Sequence, residues 1–266
     1  MRVLLVIPAR YASSRFPGKP LAGLRGATGE TRSLIRRAWE AAREVPMVDR
    51  IVVATDDERV QAAAESFGAE VVMTPSACRN GTERCAAVSR ALGPGWDVVV
   101  NLQGDAPLTP PWFLGAMIEE MRIDPDCEVA TPVLRCDAAA LASFVEDRRN
   151  GRVGATTAVF GTEGRALYFS KEVIPYTGRT FAEGEVIPVF HHVGAYAYRR
   201  GPLLRYEEWR EGPLETSEGL EQLRFLENGV PMRCIEVEAR GRSFWELNNP
   251  EDIARIEAIL AAEGRP

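Results

Sequence analysis

The sequence predicts an α/β fold, with a mostly parallel central sheet joined by right-handed crossovers and a less regular second half. Two observations carry this reading. Through the first half, apolar runs at residues 3–7, 51–54, 70–73 and 98–102 alternate with helical patterns at 33–45, 58–67, 82–92 and 111–122. The runs are four to six residues long and lack polar alternation, as expected of strands covered on both faces. A third observation makes the chain one domain: no Ser/Gly-rich linker, charge block or internal repeat divides its 266 residues. In the second half, strands are expected at 128–134, 155–160, 192–198 and 232–237, with helices at 217–227 and 250–262. The stretch 147–154, DRRNGRVG, reads as a loop, and Asn249 is placed to cap the closing helix ahead of Pro250.

The first strand runs into IPARYASSRFPGKP, which carries Arg10, Arg15 and Lys19. Lys19 and Lys171 are the only lysines among 32 basic residues, so a lysine inside a Gly/Pro-bounded turn suggests a site that uses a compact point charge on a flexible stem. The loop also leaves the carboxyl end of a strand, where open α/β sheets place their ligands. Three solvated charges are the plain alternative. Against it, Pro8, Pro17, Gly18 and Pro20 restrict the backbone and lower the entropy cost of converging three cations on one polyanion. The spacing G-x-x-x-x-G-K-[ST] is absent, which excludes an ordinary P-loop.

NLQGDAP, after the fourth strand, puts Asp105 at the same sheet edge. A carboxylate there can hold a magnesium that bridges phosphate oxygens, and the neighbouring cationic loop favours this over a simple Gly-Asp turn. In VATDDERV, Asp57 reads as a helix cap. RNGTER couples an Asn-Gly turn to a helix start, whose amides meet either a nucleobase edge or nothing. PLETSEGLEQLRFLENG reads as an amphipathic helix: Leu220, Leu223 and Leu226 pack, while Glu215, Glu221 and Gln222 face either a polyhydroxylated ligand or water.

Composition sets outer limits. A net charge of −6 argues against an extended nucleic-acid surface but leaves room for a local basic cluster around a small phosphorylated ligand. No apolar stretch approaches the roughly 20 residues of a membrane span, and the first strand is too short for a signal peptide, so a cytoplasmic location is expected. Five cysteines at no metal-ligand spacing read as reduced thiols. The two histidines, His191 and His192, cannot supply a histidine-rich metal site.

IPARYASSRFPGKPLA, ATDDERV, NGTERCAA, VVNLQGDAP, ALYFSK, HHVGAYAYR, PLE followed by LEQLRFLENG, and NPEDI occur in the order seen in the CMP-Kdo synthetases, the 3-deoxy-manno-octulosonate cytidylyltransferases. The chain resembles this family over nearly its whole length. The resemblance implies a Rossmann-like nucleotidyltransferase, usually a homodimer, that joins CMP from CTP to the anomeric hydroxyl of a sugar acid and releases pyrophosphate. It places the triphosphate on Arg10, Ser14, Arg15 and Lys19, and the cytosine or ribose near Asn80, Gly81 and Gln103. It also places magnesium on Asp105 and the sugar on His192, Tyr196, Glu215, Glu221 and Gln222. Residues 1–125 would be mainly nucleotide-binding, 126–240 mainly sugar-binding and dimer-forming, and 241–266 a closing helix. The catalytic set would be Lys19, Arg15 and Asp105.

Departures from the family pattern cluster around metal and acceptor. Asn248 stands where an aspartate is usual, which makes the second expected metal ligand a neutral amide. Ala106 replaces a glutamate after QGD, residues 25–32 differ from the shorter turn, and Gly154 occupies a lysine position. Two alternatives therefore accompany Kdo transfer: a cytidylyltransferase for a different or modified sugar acid, and a non-catalytic nucleotide-binding relative.

Overall fold

The computed structural model describes residues 1–13, 16–152 and 155–266. Twelve strands appear in chain order: β1 Val3–Pro8, β2 Gly23–Arg25, β3 Thr31–Ser33, β4 Arg50–Thr55, β5 Glu70–Met73, β6 Val98–Leu102, β7 Val129–Arg135, β8 Thr156–Phe160, β9 Ala166–Ser170, β10 Phe190–His192, β11 Ala195–Arg199 and β12 Met232–Val237. The helices are α1 Leu34–Arg43, α2 Glu58–Ser66, α3 Gly81–Ala91, α4 Pro111–Ile123, α5 Ala138–Arg149, α6 Arg200–Tyr206, α7 Pro213–Glu218, α8 Leu223–Glu227 and α9 Asp252–Ala262. Ten strands make one sheet in the order β5-β4-β1-β6-β11-β7-β10-β8-β9, with β12 on the far side of β7. The first-half strands pair in parallel as expected; β12 also joins β7 in parallel, while β8 to β11 run antiparallel to their neighbours.

Successive residues of β1 bury on opposite faces. Leu5 and Ile7 pack with Ile35 of α1 and Phe113 of α4, whereas Leu4 and Val6 pack with Cys85, Ala86 and Val88 of α3. Helices on both faces account for the unbroken apolar runs. Three end signals act as the residue types dictate: Ser33, Asp57 and Asn80 cap α1, α2 and α3 through their side chains.

Other expectations are corrected. The strand expected over 192–198 is two strands, because residues 193–194 turn: the Ala195 amide donates to the Val193 carbonyl at 2.7 Å, letting β10 join β8 while β11 joins β6. The helix expected over 217–227 is likewise α7 and α8, broken at Gly219, whose φ of 61° is left-handed. Residues 147–149 of the expected loop end α5, and Gly154 lies outside the described residues. Asn249 does not cap α9 through its side chain; the Asp252 carboxylate instead accepts from the backbone amides of Asn248 and Asn249 at 2.9 and 2.7 Å. Residues 25–32 form most of a β2–β3 hairpin, on which α9 packs through Leu24, Ile256 and Leu260.

Candidate active site

β1 and β6 are parallel neighbours, so their carboxyl ends deliver the opening loop and the QGD turn to one sheet edge. Gly104 allows the approach: its amide donates to the Pro8 carbonyl, and a Cβ there would lie 2.6 Å from that oxygen. The turn aims Asp105 at the loop, where its carboxylate accepts from Lys19 Nζ at 2.6 Å. Lys19 is set by Gly18, which takes a φ of 73° and donates its amide to the Tyr11 carbonyl at 2.9 Å. Arg59 stacks over the Tyr11 ring, 3.4 Å from its centroid, and braces the other side of the loop. The ion pair leaves cation and carboxylate side by side and partly open to solvent. Arg10 is exposed at the start of the loop and makes no side-chain hydrogen bond to another described residue. Ser14 and Arg15 lie outside the described residues.

The start of α3 forms the second wall. The Asn80 side chain caps Glu83 N at 2.9 Å, and Gly81 packs so tightly on Gln103 that a Cβ would lie 2.7 Å from Gln103 Nε2. The Asn80, Gly81 and Gln103 expected at the nucleoside are therefore contiguous. Glu221 meets them: its two oxygens accept from the Thr82 amide at 2.9 Å and from Gln103 Nε2 at 3.1 Å. Burial pushes the Glu221 carboxyl up, against the opposite pull of Thr82 and Gln103.

The acceptor residues are largely buried. Glu215 and Gln222 are 6% and 2% exposed, which overturns the reading of that helix face as solvated. Glu215 has both carboxylate oxygens engaged by Arg224 at 2.6 Å each. Gln222 accepts from the Tyr196 hydroxyl at 3.1 Å, while its buried Nε2 has no partner among the described residues. Burial lowers His192 to about 3, so the ring is neutral near pH 7. Its Nε2 lies 2.9 Å from the Thr131 hydroxyl, which itself donates to the Ala195 carbonyl at 2.9 Å. A neutral imidazole offers one donor and one acceptor nitrogen, and Thr131 holds the ring in place through Nε2.

Sequence reasoning missed Asn101, Tyr206 and Arg224. Asn101 is fully buried on β6, with Oδ1 unpartnered among the described residues. The Tyr206 hydroxyl accepts from Asn80 Nδ2 at 3.0 Å and donates to the Glu221 carbonyl at 3.0 Å. A lone Asn in the apolar run VVVNL was a readable signal. Tyr206 had none, since its contacts are set by tertiary packing.

These residues form one continuous polar region running from the β1 and β6 ends to the buried Glu215–Gln222 segment. A cytidylyltransferase family model matches residues 4–237. A 3-deoxy-manno-octulosonate cytidylyltransferase of Maricaulis maris is 47% identical over 99% of both chains, and one of Chlamydia pneumoniae is 40% identical over 96% of this chain and 92% of that one. The chain belongs to the 3-deoxy-manno-octulosonate cytidylyltransferase family. A solved structure of CMP:2-keto-3-deoxy-manno-octonic acid synthetase, complexed with CTP, superposes with a TM-score of 0.84 at 34% identity, covering 99% of this chain and all of that one. Membership of this cytidylyltransferase family makes the protein a nucleotidyltransferase with the Rossmann-like fold that the motifs implied.

Asn248, which departs from the family pattern, follows Leu247, whose amide donates to the Asp105 carbonyl at 2.8 Å. Ala106 is 2% exposed within the QGD turn, so the glutamate position has become a packing position. Among the described residues no group of three His, Cys, Asp or Glu side chains is placed to hold a metal. The side chains of Asp105 and Asn248 both offer oxygen donors, the type that magnesium takes.

Proposed function

We propose that the protein transfers CMP from CTP to the anomeric hydroxyl of 3-deoxy-manno-octulosonate and releases pyrophosphate. The carrying observation is the Lys19–Asp105 pair at the joined ends of β1 and β6, beside the Asn80–Gly81 helix start, in a chain similar to Kdo cytidylyltransferases from end to end. The anomeric oxygen forms a bond to the α-phosphorus while the α–β bridging bond breaks in line, and the hydroxyl proton is released. Lys19 stabilises charge on the α-phosphate oxygens, and Arg10 and Arg15 steady the departing pyrophosphate. Magnesium, held by Asp105 and Asn248 together with phosphate oxygens, would supply further charge neutralisation. Neutral His192, Tyr196, Gln222 and Glu221 orient the acceptor, and no protein nucleophile is needed.

Residues 1–125 accordingly carry mainly nucleotide contacts, and residues 126–240 the acceptor and a homodimer surface. Edge strand β9 fits that surface: Leu167 on it and Tyr176 and Val186 after it are exposed. No described helix is long and apolar enough to cross a membrane. Soluble substrates and five free cysteines support action in the cytoplasm.

The base-proximal residues predict nucleotide choice. CTP should bind far better than ATP or GTP, with UTP the nearest competitor, because the closely packed Gly81 and Gln103 would read a pyrimidine edge. Calorimetry with the four nucleotides checks this, and equal affinity for ATP and CTP would reduce the site to a general triphosphate binder.

Asn248 carries a second expectation. Its amide oxygen brings no charge, so the wild type should need more free magnesium for half-maximal turnover than the Asn248→Asp variant. A different or modified sugar acid is the competing reading that Asn248 and Ala106 favour. Magnesium titrations run with several acceptors separate the two: identical curves and unchanged acceptor preference would make Asn248 neither ligand nor selector.

A further inference from the structure

Arg224 is 0% exposed and belongs to neither the nucleotide set nor the acceptor set. Its guanidinium forks onto Glu215 of α7 at 2.6 Å and 2.6 Å, reaches Glu83 of α3 at 3.0 Å, and lies 4.2 Å above the Tyr206 ring. Glu83 in turn accepts from the Arg79 amide at 2.7 Å, and its own amide is capped by Asn80. Hydrogen bonds from Arg79 and Arg224 hold the Glu83 carboxyl below its ordinary range although burial opposes this. One buried cation thus ties the start of the nucleotide helix to the segment that presents Glu221 and Gln222. A buried ion cluster of this kind is poor value for stability alone, since its desolvation offsets most of its attraction. What it does provide, and an apolar contact does not, is a fixed distance and direction between two elements.

We propose that Arg224 is a positioning residue that couples the two half-sites: through Glu83 it fixes residues 79–82 and through Glu215 it fixes residues 213–222, so that ordering one by its substrate orders the other. This rests on the proposed CTP and Kdo chemistry. It goes beyond it by assigning the communication between the two substrates to Arg224 and Glu83, which belong to neither substrate set.

Arg224→Met would strand Glu83 and Glu215 as unpaired buried carboxylates and is expected to unfold the chain. Glu83→Gln keeps the shape and leaves Arg224 its fork on Glu215, whereas Arg224→Lys keeps the charge but loses the fork and the stack on Tyr206. With CTP alone, amide exchange in the wild type should slow both at residues 79–84 and at residues 213–227. In Glu83→Gln the first effect should persist and the second be lost. In steady state both variants should raise the KM for Kdo at saturating CTP by about tenfold, with kcat within about threefold of wild type. Variants that melt earlier yet keep CTP-dependent protection at 213–227 and a wild-type KM would show a purely structural role and overturn the inference. A wild type that neither binds CTP nor makes CMP-Kdo would instead overturn the functional reading.

Discussion

Lys19→Met is expected to abolish turnover while leaving the protein folded. Lys19 opens a single 3-10 turn outside the apolar clusters, and its one partner among the described residues, Asp105, retains contact with solvent, so removing the ammonium strands no fully buried charge. On the proposed mechanism, what is lost is a donor to the oxygens of the phosphorus under attack. Removing one such donor from a preorganised site costs about 2.7–4 kcal/mol, a rate loss of about a hundred- to a thousandfold. Lys19→Arg should rescue poorly, because a planar fork differs from a point charge in reach and geometry, and Gly18 and Pro20 leave the loop little freedom to adjust. Single-turnover rates with circular dichroism as the folding control test this. A Lys19→Met protein with more than about a tenth of the wild-type rate would remove Lys19 from the mechanism, since a tenfold loss is already about 1.4 kcal/mol.

The second large effect is expected from Gly104→Ala. The added methyl would sit 2.6 Å from the Pro8 carbonyl oxygen; it is fixed directly to the backbone and the oxygen belongs to backbone, so no flexible side chain can swing away. Relief requires the QGD turn to lift off β1, carrying Asp105 away from Lys19. A displacement near 1 Å in a positioned site costs about a hundredfold in rate. Overpacking adds a stability loss of about 1–3 kcal/mol. kcat and the urea midpoint measured together separate these effects, and a variant with more than half the wild-type kcat would mean that the Gly104 contact does not position Asp105.

The parts of this site written in local chemistry were legible in the chain itself. Asp57 and the Asn80–Gly81 helix start act through near neighbours, and the structure places both at helix starts as read; the rare lysine and the Gly-Asp turn lie at one sheet edge, as the strand order implied, and pair with each other. The less legible parts depend on distant partners. Glu215 is on a charged face by periodicity, yet Arg224 takes it into the interior. The 192–198 run is apolar and aromatic throughout, yet Thr131 on another strand bonds the Val193 and Ala195 carbonyls across a turn. Glycine marked both breaks, Gly194 inside a strand pattern and Gly219 inside a helical one, and each was a signal that periodicity overrode. Asn249 lost its capping role because the Asp252 carboxylate could fold back on two amides at once.

The central claim is tested most directly by pyrophosphate release from the wild-type protein with CTP, magnesium and a panel of sugar acids, with the product identified by mass. The account predicts stoichiometric pyrophosphate and CMP-Kdo with Kdo, and little turnover when CTP is replaced by ATP or GTP. Release that is absent with every sugar acid while CTP still binds, or that occurs with another acid in clear preference to Kdo, would contradict it.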